Sequence, residues 1–536
     1  MNQWKESGDV HMQNSTKITT IVALLLVLAL ATLDSTIVAT AMPRIVSQLG
    51  GMTLYSWAFS AYLLTSTAVM PLYGKLADLY GRKRILLMGA LIFLIGSAAC
   101  GSAQNMEQLV FFRGLQGLGA GAIQPLVLTI LADISASAQE NARLIGGVGV
   151  LWGVSSVAGP LLGGLIVDHL SWSWIFYLNF PLGLPAMLLF AIFFKERFAR
   201  RRHHLDSVGT IVMTGAIVAL LFFVLQGGTA WAWISLPSFA LLFSAVILVV
   251  AFFLIEQRAD EPLLPFEIFT VRTIAISNSG SFLLGSLLFS LTTYIPLFVQ
   301  GVQGGNATLA GSVLIPTLLS WSIVSMLAEF LLRYFGYRLI VRAGALFMVI
   351  GAVTTVFFHE QTSLAVIALA LIPLGIGFGL VSIVYTLAVQ RTARKEIVGV
   401  ATASTQFVRM IGGTVGVAIM GAVLNGQMQQ RFTPIVAHFS SSARVLPEGT
   451  SPVNTLLTPS IRAVLPTVLL EQLRQAFSQS LFWVFVTMLL MALFGLLLIL
   501  CFPSIPFEPA SSKPADGKLA PGSGTGTRLS SPGGEF

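Results

Sequence analysis

Asp34, within residues 18–42, and Arg113, within residues 107–131, are ionisable residues set inside long apolar stretches of this 536-residue chain. Desolvation raises a carboxyl pKa and a neighbouring arginine lowers it, so geometry alone can switch such an acid between binding and releasing a proton. Charges this deep in a membrane are costly and mark ion pathways. Asp34 lies about eight residues before the far end of its stretch, roughly 12 Å deep at 1.5 Å per residue. Arg113 lies about six residues into its own stretch, roughly 9 Å deep. The comparable depths make them candidates for proton coupling. The alternative is a permanent ion pair that only fixes helix packing.

Stretches of this kind recur along the chain, at about 18–42, 54–73, 85–103, 107–131, 143–167, 174–194, 208–226, 234–255, 273–300, 309–331, 339–358, 363–388, 397–424 and 481–502. About 20 apolar residues span a bilayer as a helix. The chain is 55% hydrophobic and 10% charged, with a mean hydropathy of +0.85; soluble domains carry about 25% charged residues. Only helices and closed barrels satisfy their backbone in lipid, and continuous apolar runs exclude the barrel. The expectation is an all-α polytopic membrane protein with fourteen transmembrane helices.

The net charge of +8 follows from topology rather than nucleic-acid binding. Positive residues gather in loops that stay in the cytoplasm. With the N-terminus inside, those loops hold Arg82, Lys83 and Arg84, then Lys195, Arg197 and Arg200 to Arg202, then Arg258 and Arg272. Later ones hold Arg338 and Arg342, then Arg391, Arg394 and Lys395. The outer loops after the third, fifth, seventh, ninth and eleventh spans hold no Lys or Arg. Both ends are therefore expected in the cytoplasm, in a cell membrane, with the first span a retained helix rather than a removable signal. Trp172, Trp174, Trp231 and Trp233 fall at expected outer interfaces, and residues 467–479 read as an amphipathic surface helix. Cys100 and Cys501 belong at opposite faces, too far apart for a disulfide.

Four motifs stand in order along the first half. Leu33-Asp34-Ser35-Thr36-Ile37-Val38, with Pro43, lies in the first span. Gly74-Lys75-Leu76-Ala77-Asp78-Leu79-Tyr80-Gly81-Arg82-Lys83-Arg84 joins the second and third, where glycines permit a tight turn and Asp78 can pair with arginines or a helix N-terminus. Arg113-Gly114-Leu115-Gln116-Gly117 opens a small-residue run in the fourth, and Gly153 through Gly159-Pro160-Leu161-Leu162-Gly163-Gly164 marks the fifth. Together they resemble the fourteen-span drug–proton antiporters of the major facilitator superfamily, over residues 20–503. Ala39 stands where that family usually has Asn.

The resemblance implies two six-helix bundles joined by two extra helices: an N-terminal tail 1–17, a first bundle 18–199, linker helices 200–262, a second bundle 263–503 with a long outer loop 425–480, and a disordered tail 504–536. It implies pairing of Asp34 with Arg113, a cytoplasmic gate at Gly74, Asp78, Gly81, Arg82 and Arg84, and an antiporter helix sealed through Gly153, Gly159, Pro160, Gly163 and Gly164. If Gly336 aligns with Gly81, then Arg333 and Glu329 replace Asp78 and Gly74, so the second gate motif is degenerate.

Helical spacing places Gln116 and Gln124 toward a substrate cavity, with Asn278, Tyr294, Gln300 and Arg409 as cavity wall in the second bundle, against a reading of simple small-residue packing. No metal-ligand spacing, P-loop or other enzyme motif is present. No cofactor, nucleic acid or obligate protein partner is implied, and the chain is expected to be a monomer. The function implied is export of lipophilic or amphipathic small molecules, such as drugs, antibiotics and dyes, in exchange for protons. Two rivals stand beside it: an exporter dedicated to one endogenous metabolite or antibiotic, and a non-transporting receptor or scaffold.

Overall fold

In the computed structural model, the described residues are 14–135, 138–196, 207–226, 231, 234–258, 270–394, 398–440, 452–463 and 465–503. Fourteen long helices occupy the fourteen apolar stretches, and no strand forms among the described residues. They are α1 (Asn14–Leu49), α2 (Tyr55–Tyr80), α3 (Arg82–Gly101), α4 (Met106–Ile134), α5 (Ala138–His169), α6 (Trp174–Phe193) and α7 (Ser207–Gln226). After them come α8 (Leu236–Glu256), α9 (Arg272–Gly301), α10 (Ala307–Leu327), α11 (Tyr334–Val356), α12 (Leu364–Thr392), α13 (Val398–Ser440) and α14 (Thr467–Leu500). Twelve of them are long and apolar enough to cross a membrane; α2 and α7, the latter with an apolar segment Ile211–Val224, fill the two remaining positions. Twelve or fourteen crossings are both compatible with this layout.

Local chemistry fixes the ends. Asn105 accepts from the amide of Gln108 at 2.9 Å and caps α4, and Asn306 does the same for α10 through Leu309. Gly81 (φ 95°) turns α2 into α3, and Gly336 (φ 69°), in the first turn of α11, kinks the 50-residue helix Ala307–Val356 that carries α10 and α11. A residue with a Cβ is strained in either conformation.

The apolar clusters show how the bundles meet. Residues 23–30 of α1 pack with α3, α4 and α6, around Phe93, Ile123 and Phe190. Residues 37–46 of the same helix belong to a different cluster, shared with Leu291, Ile295, Val299, Ala310 and Leu314 of α9 and α10. Toward the end of α1 the two bundles share one apolar cluster, whereas the cluster around its beginning is built from the first bundle, with Phe289 and Met410 of the second packed against it. Hydrogen bonds follow this split. Tyr55 Oη donates to Thr293 O at 2.8 Å and Gln300 Nε2 donates to Thr40 O at 2.9 Å, both at the face where α1 ends. That face, expected to be outer, also carries Asp168; the opposite one, expected to be cytoplasmic, carries Gly81. Along α5 and α10, Gly164 faces Thr308 and Gly311 faces Pro160, whereas Gly147 and Gly149 meet nothing within 4 Å. The seam is closed at the Asp168 face and opens toward the Gly81 face. Helices α7 and α8 pack on α2 and α13 through Trp57, Met213, Ile217, Phe252 and Phe407.

The segment 425–480 differs from the expected loop. Helix α13 runs on to Ser440, and residues 467–479 begin α14 instead of lying as a separate surface helix. The rings of Phe432 and Phe477 lie 6.3 Å apart, tilted to one another, and Leu469 and Leu473 are buried, so apolar faces pair along both extensions. Short helices Pro452–Leu457 and Pro459–Arg462 fold beside them. Trp172 is buried against Phe176 rather than at a lipid interface, while Trp174 and Trp231 are exposed. Most of the expected N-terminal tail and the tail 504–536, the basic segment 197–206, Trp233, Lys395 and the side chains of Asp78, Glu329 and Arg333 lie outside the described residues.

Candidate functional site

Five helices converge on Asp34. Arg113 of α4 donates from Nη1 to Asp34 Oδ2 at 2.6 Å, and both side chains are almost fully buried. Gln116, one turn on, donates to Asp34 Oδ1 at 2.8 Å and accepts from Arg113 at 2.8 Å. Asn179 of α6 donates to the same Oδ1 at 3.2 Å and to Ser97 Oγ of α3 at 2.8 Å. Ser97 donates in turn to Phe176 O at 2.8 Å. On α2, Ala58 O accepts from Arg113 Nε at 3.3 Å, and the guanidinium lies 4.1 Å over the Tyr62 ring. Gly96 permits the approach of α3 to α4: a Cβ there would sit 2.5 Å from Gln116 Cα. The carboxylate form of Asp34 is therefore matched by one charged and two neutral donors in a water-poor site.

The back of α1 is tied to α5. Thr36 Oγ1 donates to Ser155 O at 3.2 Å, and Thr32 Oγ1 bonds Ser155 Oγ at 3.2 Å. Gly163 packs against Ile37, with a virtual Cβ 2.7 Å from its carbonyl oxygen, and Gly159 lies one turn earlier against Thr36. Gly164 and Pro160 face the second bundle, and Gly153 faces Ser322. Helix α5 thus touches the Asp34 helix on one side and the seam on the other.

At the Gly81 face, Glu196 accepts from the amides of Arg82 (2.7 Å) and Lys83 (3.0 Å), capping α3 from beyond α6. Lys83 Nζ donates to Ala191 O at 2.6 Å and Phe194 O at 2.5 Å, and Arg82 pairs with Asp133. Arg84 is exposed, and Gly74 meets nothing within 4 Å.

The residues expected to line a cavity divide. Gln116 sits inside the Asp34 network, fully buried. Tyr294 is buried at the closed seam, its hydroxyl donating to Val417 O at 2.9 Å, and Gln300 crosses that seam to Thr40. Asn278 joins α9 to α13, accepting from Thr405 Oγ1 at 2.8 Å and donating to Ser404 Oγ at 3.4 Å. Only Gln124 and Arg409 are part-exposed. Arg409 crosses Gly285 of α9, where a Cβ would lie 3.1 Å from its Cγ.

Sequence reasoning missed Asn179, Ser97, Glu196 and Asp168. Asn179 had a usable signal, as a lone amide within an apolar run. Glu196 stood out only as one acid among bases.

Residues 24–417 match the family model for the Major Facilitator Superfamily. The chain is a member of that superfamily. It is 38% identical over 407 residues to multidrug transporter protein MdtP of Bacillus subtilis, covering 76% of this chain and 75% of that one. It is 33% identical over 479 residues to multidrug resistance protein 3 of the same organism, covering 89% and 93% respectively. The fold resembles the crystal structure of a bacterial homologue of the human lysosomal transporter Spinster, inward-facing and unoccupied, with TM-score 0.64, 15% identity and coverage of 92% and 98%. A superfamily transporter with multidrug efflux relatives is thus at hand, in a family of carriers rather than enzymes. Its helices are those of a multi-pass membrane protein.

Proposed function

We propose that this transporter exports lipophilic or amphipathic small molecules across the cell membrane in exchange for protons, by alternating access between its two bundles. The observation that carries this reading is the buried Asp34–Arg113 pair on helices linked through α5 to the bundle seam. Protonating Asp34 strands the Arg113 charge, and the least costly relief is a shift of α1 that admits water or substrate dipoles. That shift reaches the seam through Thr36, Ser155 and the α5 glycines. Proton binding thereby favours one opening and substrate the other.

The two ends of the chain and the Gly81 face are cytoplasmic in this scheme, and Glu196, Arg82 and Asp133 close that side when the seam reverses. Asp34 is already matched by Arg113, and Arg409 adds a cation to the second bundle. Substrates are therefore neutral, zwitterionic or singly charged rather than dicationic. The protein works as a monomer.

The test is Asp34→Asn, which keeps the shape and removes the titration. Wild-type cells should extrude ethidium and norfloxacin in an uncoupler-sensitive manner, and purified protein should release protons when either compound is added. In the variant both readouts should vanish while the protein remains in the membrane. Full uncoupler-sensitive efflux by Asp34→Asn would sink the proposal.

A further inference from the structure

At the closed face, the last turn of α5 ends on Asp168, and its carboxylate reaches across to the start of α10. Oδ1 accepts from the Ala307 amide at 3.3 Å; Oδ2 accepts from the Thr308 amide at 3.0 Å and from Thr308 Oγ1 at 2.5 Å. These are the first two amides of a helix, which have no partner inside it. The third, on Leu309, is taken by the helix's own cap, Asn306. The first bundle therefore supplies an anion to the positive end of a second-bundle helix. One turn back on α5, Gly164 allows backbone contact with Thr308: a Cβ there would lie 2.6 Å from its nitrogen. The segment is gripped from a third side, since Arg462 Nη2 donates to Gly304 O at 3.1 Å.

We infer that Asp168 is a gating residue of the transport cycle: a carboxylate latch that holds the outer seam shut and must leave the α10 amides each time that face opens. Opening exchanges the charge-assisted bonds for water, so the latch weights the equilibrium toward the state with the outer face closed. It acts at the surface, apart from Asp34, and sets how often the outer side is reached rather than whether a proton is bound. The inference rests on the alternating-access reading, but its measurement is of shape and not of transport. A failed efflux test at Asp34 and a failed latch are thus separate results.

Nitroxide labels on Ser171→Cys and Gln361→Cys, exposed on either side of the outer seam, with Cys501→Ser and the buried Cys100 left in place, report the opening by pulsed electron resonance. In the parent protein the short distance should dominate. Asp168→Asn keeps the size and removes the charge, and should raise the ratio of long to short distances about fivefold or more. Asp168→Glu should restore the parent distribution in large part. Thr308→Ala removes one of the three bonds and should move the ratio the same way by less. If Asp168→Asn does not yield monodisperse protein, Thr308→Ala decides alone. Distributions that superimpose on the parent in the folded variants overturn the latch.

Discussion

The two bundles turn the same corner with different means. Gly81 and Gly336 both take a positive φ between paired helices, yet Gly81 is enclosed by Glu196 while Gly336 meets nothing within 4 Å. Inside the membrane the contrast repeats. Arg113 has a carboxylate, an amide, a carbonyl and an aromatic face around it; among the described residues no hydrogen bond or ion pair engages the Arg409 guanidinium. The backbone device of the repeat has survived in both halves, and the charge chemistry is concentrated in one. A turn needs only a residue without Cβ, whereas a buried ion pair needs several helices placed to match it.

The sharpest way to break this comparison is to remove each arginine. Arg113→Ala should cost about 3–5 kcal/mol, because it leaves a buried carboxylate unpaired. Thermal unfolding in detergent should show a large fall in midpoint, and Arg409→Ala should show little change. Equal losses would mean that the second bundle has a charge partner as strong as the first. Next in size, Asn179→Ala should cost about 1.5–3 kcal/mol as a lost hydrogen bond to a charged group. It should also displace the pH profile of ethidium efflux, which a packing defect alone would leave in place.

The glycine corners give a smaller, paired effect. Alanine at either should cost about 1–3 kcal/mol of backbone strain. At Gly81 the new Cβ would also meet Glu196 Oε2 at 2.8 Å. Gly81→Ala should therefore lower stability and efflux more than Gly336→Ala, and the reverse order would refute the assignment of the working gate to the first bundle. The smallest expected effect is one of selectivity. Arg409→Gln should reduce efflux of a singly charged anionic dye such as 8-anilinonaphthalene-1-sulfonate a few-fold relative to ethidium, measured in the same everted vesicles; an equal change for both would remove Arg409 from the substrate path.

Much of this was legible in advance. Helix positions followed from apolar length, and the ordered motifs around Asp34, Gly81, Arg113 and Gly159 pointed to the superfamily that the family model then matched. Comparable depth from the helix ends placed Asp34 and Arg113 near one level, where the structure joins them at 2.6 Å. The cavity wall was read less well. Gln116, Tyr294 and Gln300 shared plausible helix faces with Gln124, but they face Asp34 or the closed seam. Small and polar residues serve helix packing and cavities alike, so spacing could not separate the two. The extensions of α13 and α14 were hidden because their apolar partners come from elsewhere in the fold: Phe477 of α14 meets Phe432 of α13 and packs on Gly301 of α9.

The sequence by itself determined that the chain is helical and membrane-embedded, which superfamily motifs it carries, and that Asp34 and Arg113 lie at comparable depths in their apolar stretches. Those are properties of local composition and order. Tertiary structure alone decided that Asn179 and Ser97 complete the Asp34 site, that Glu196 caps the Gly81 turn, and that Asp168 meets Thr308, 140 residues away. The reason is physical. A helix in lipid is apolar on its outward as well as its inward side, so its hydrophobic pattern carries little information about rotation. Only packing against the other helices fixes which polar side chains converge.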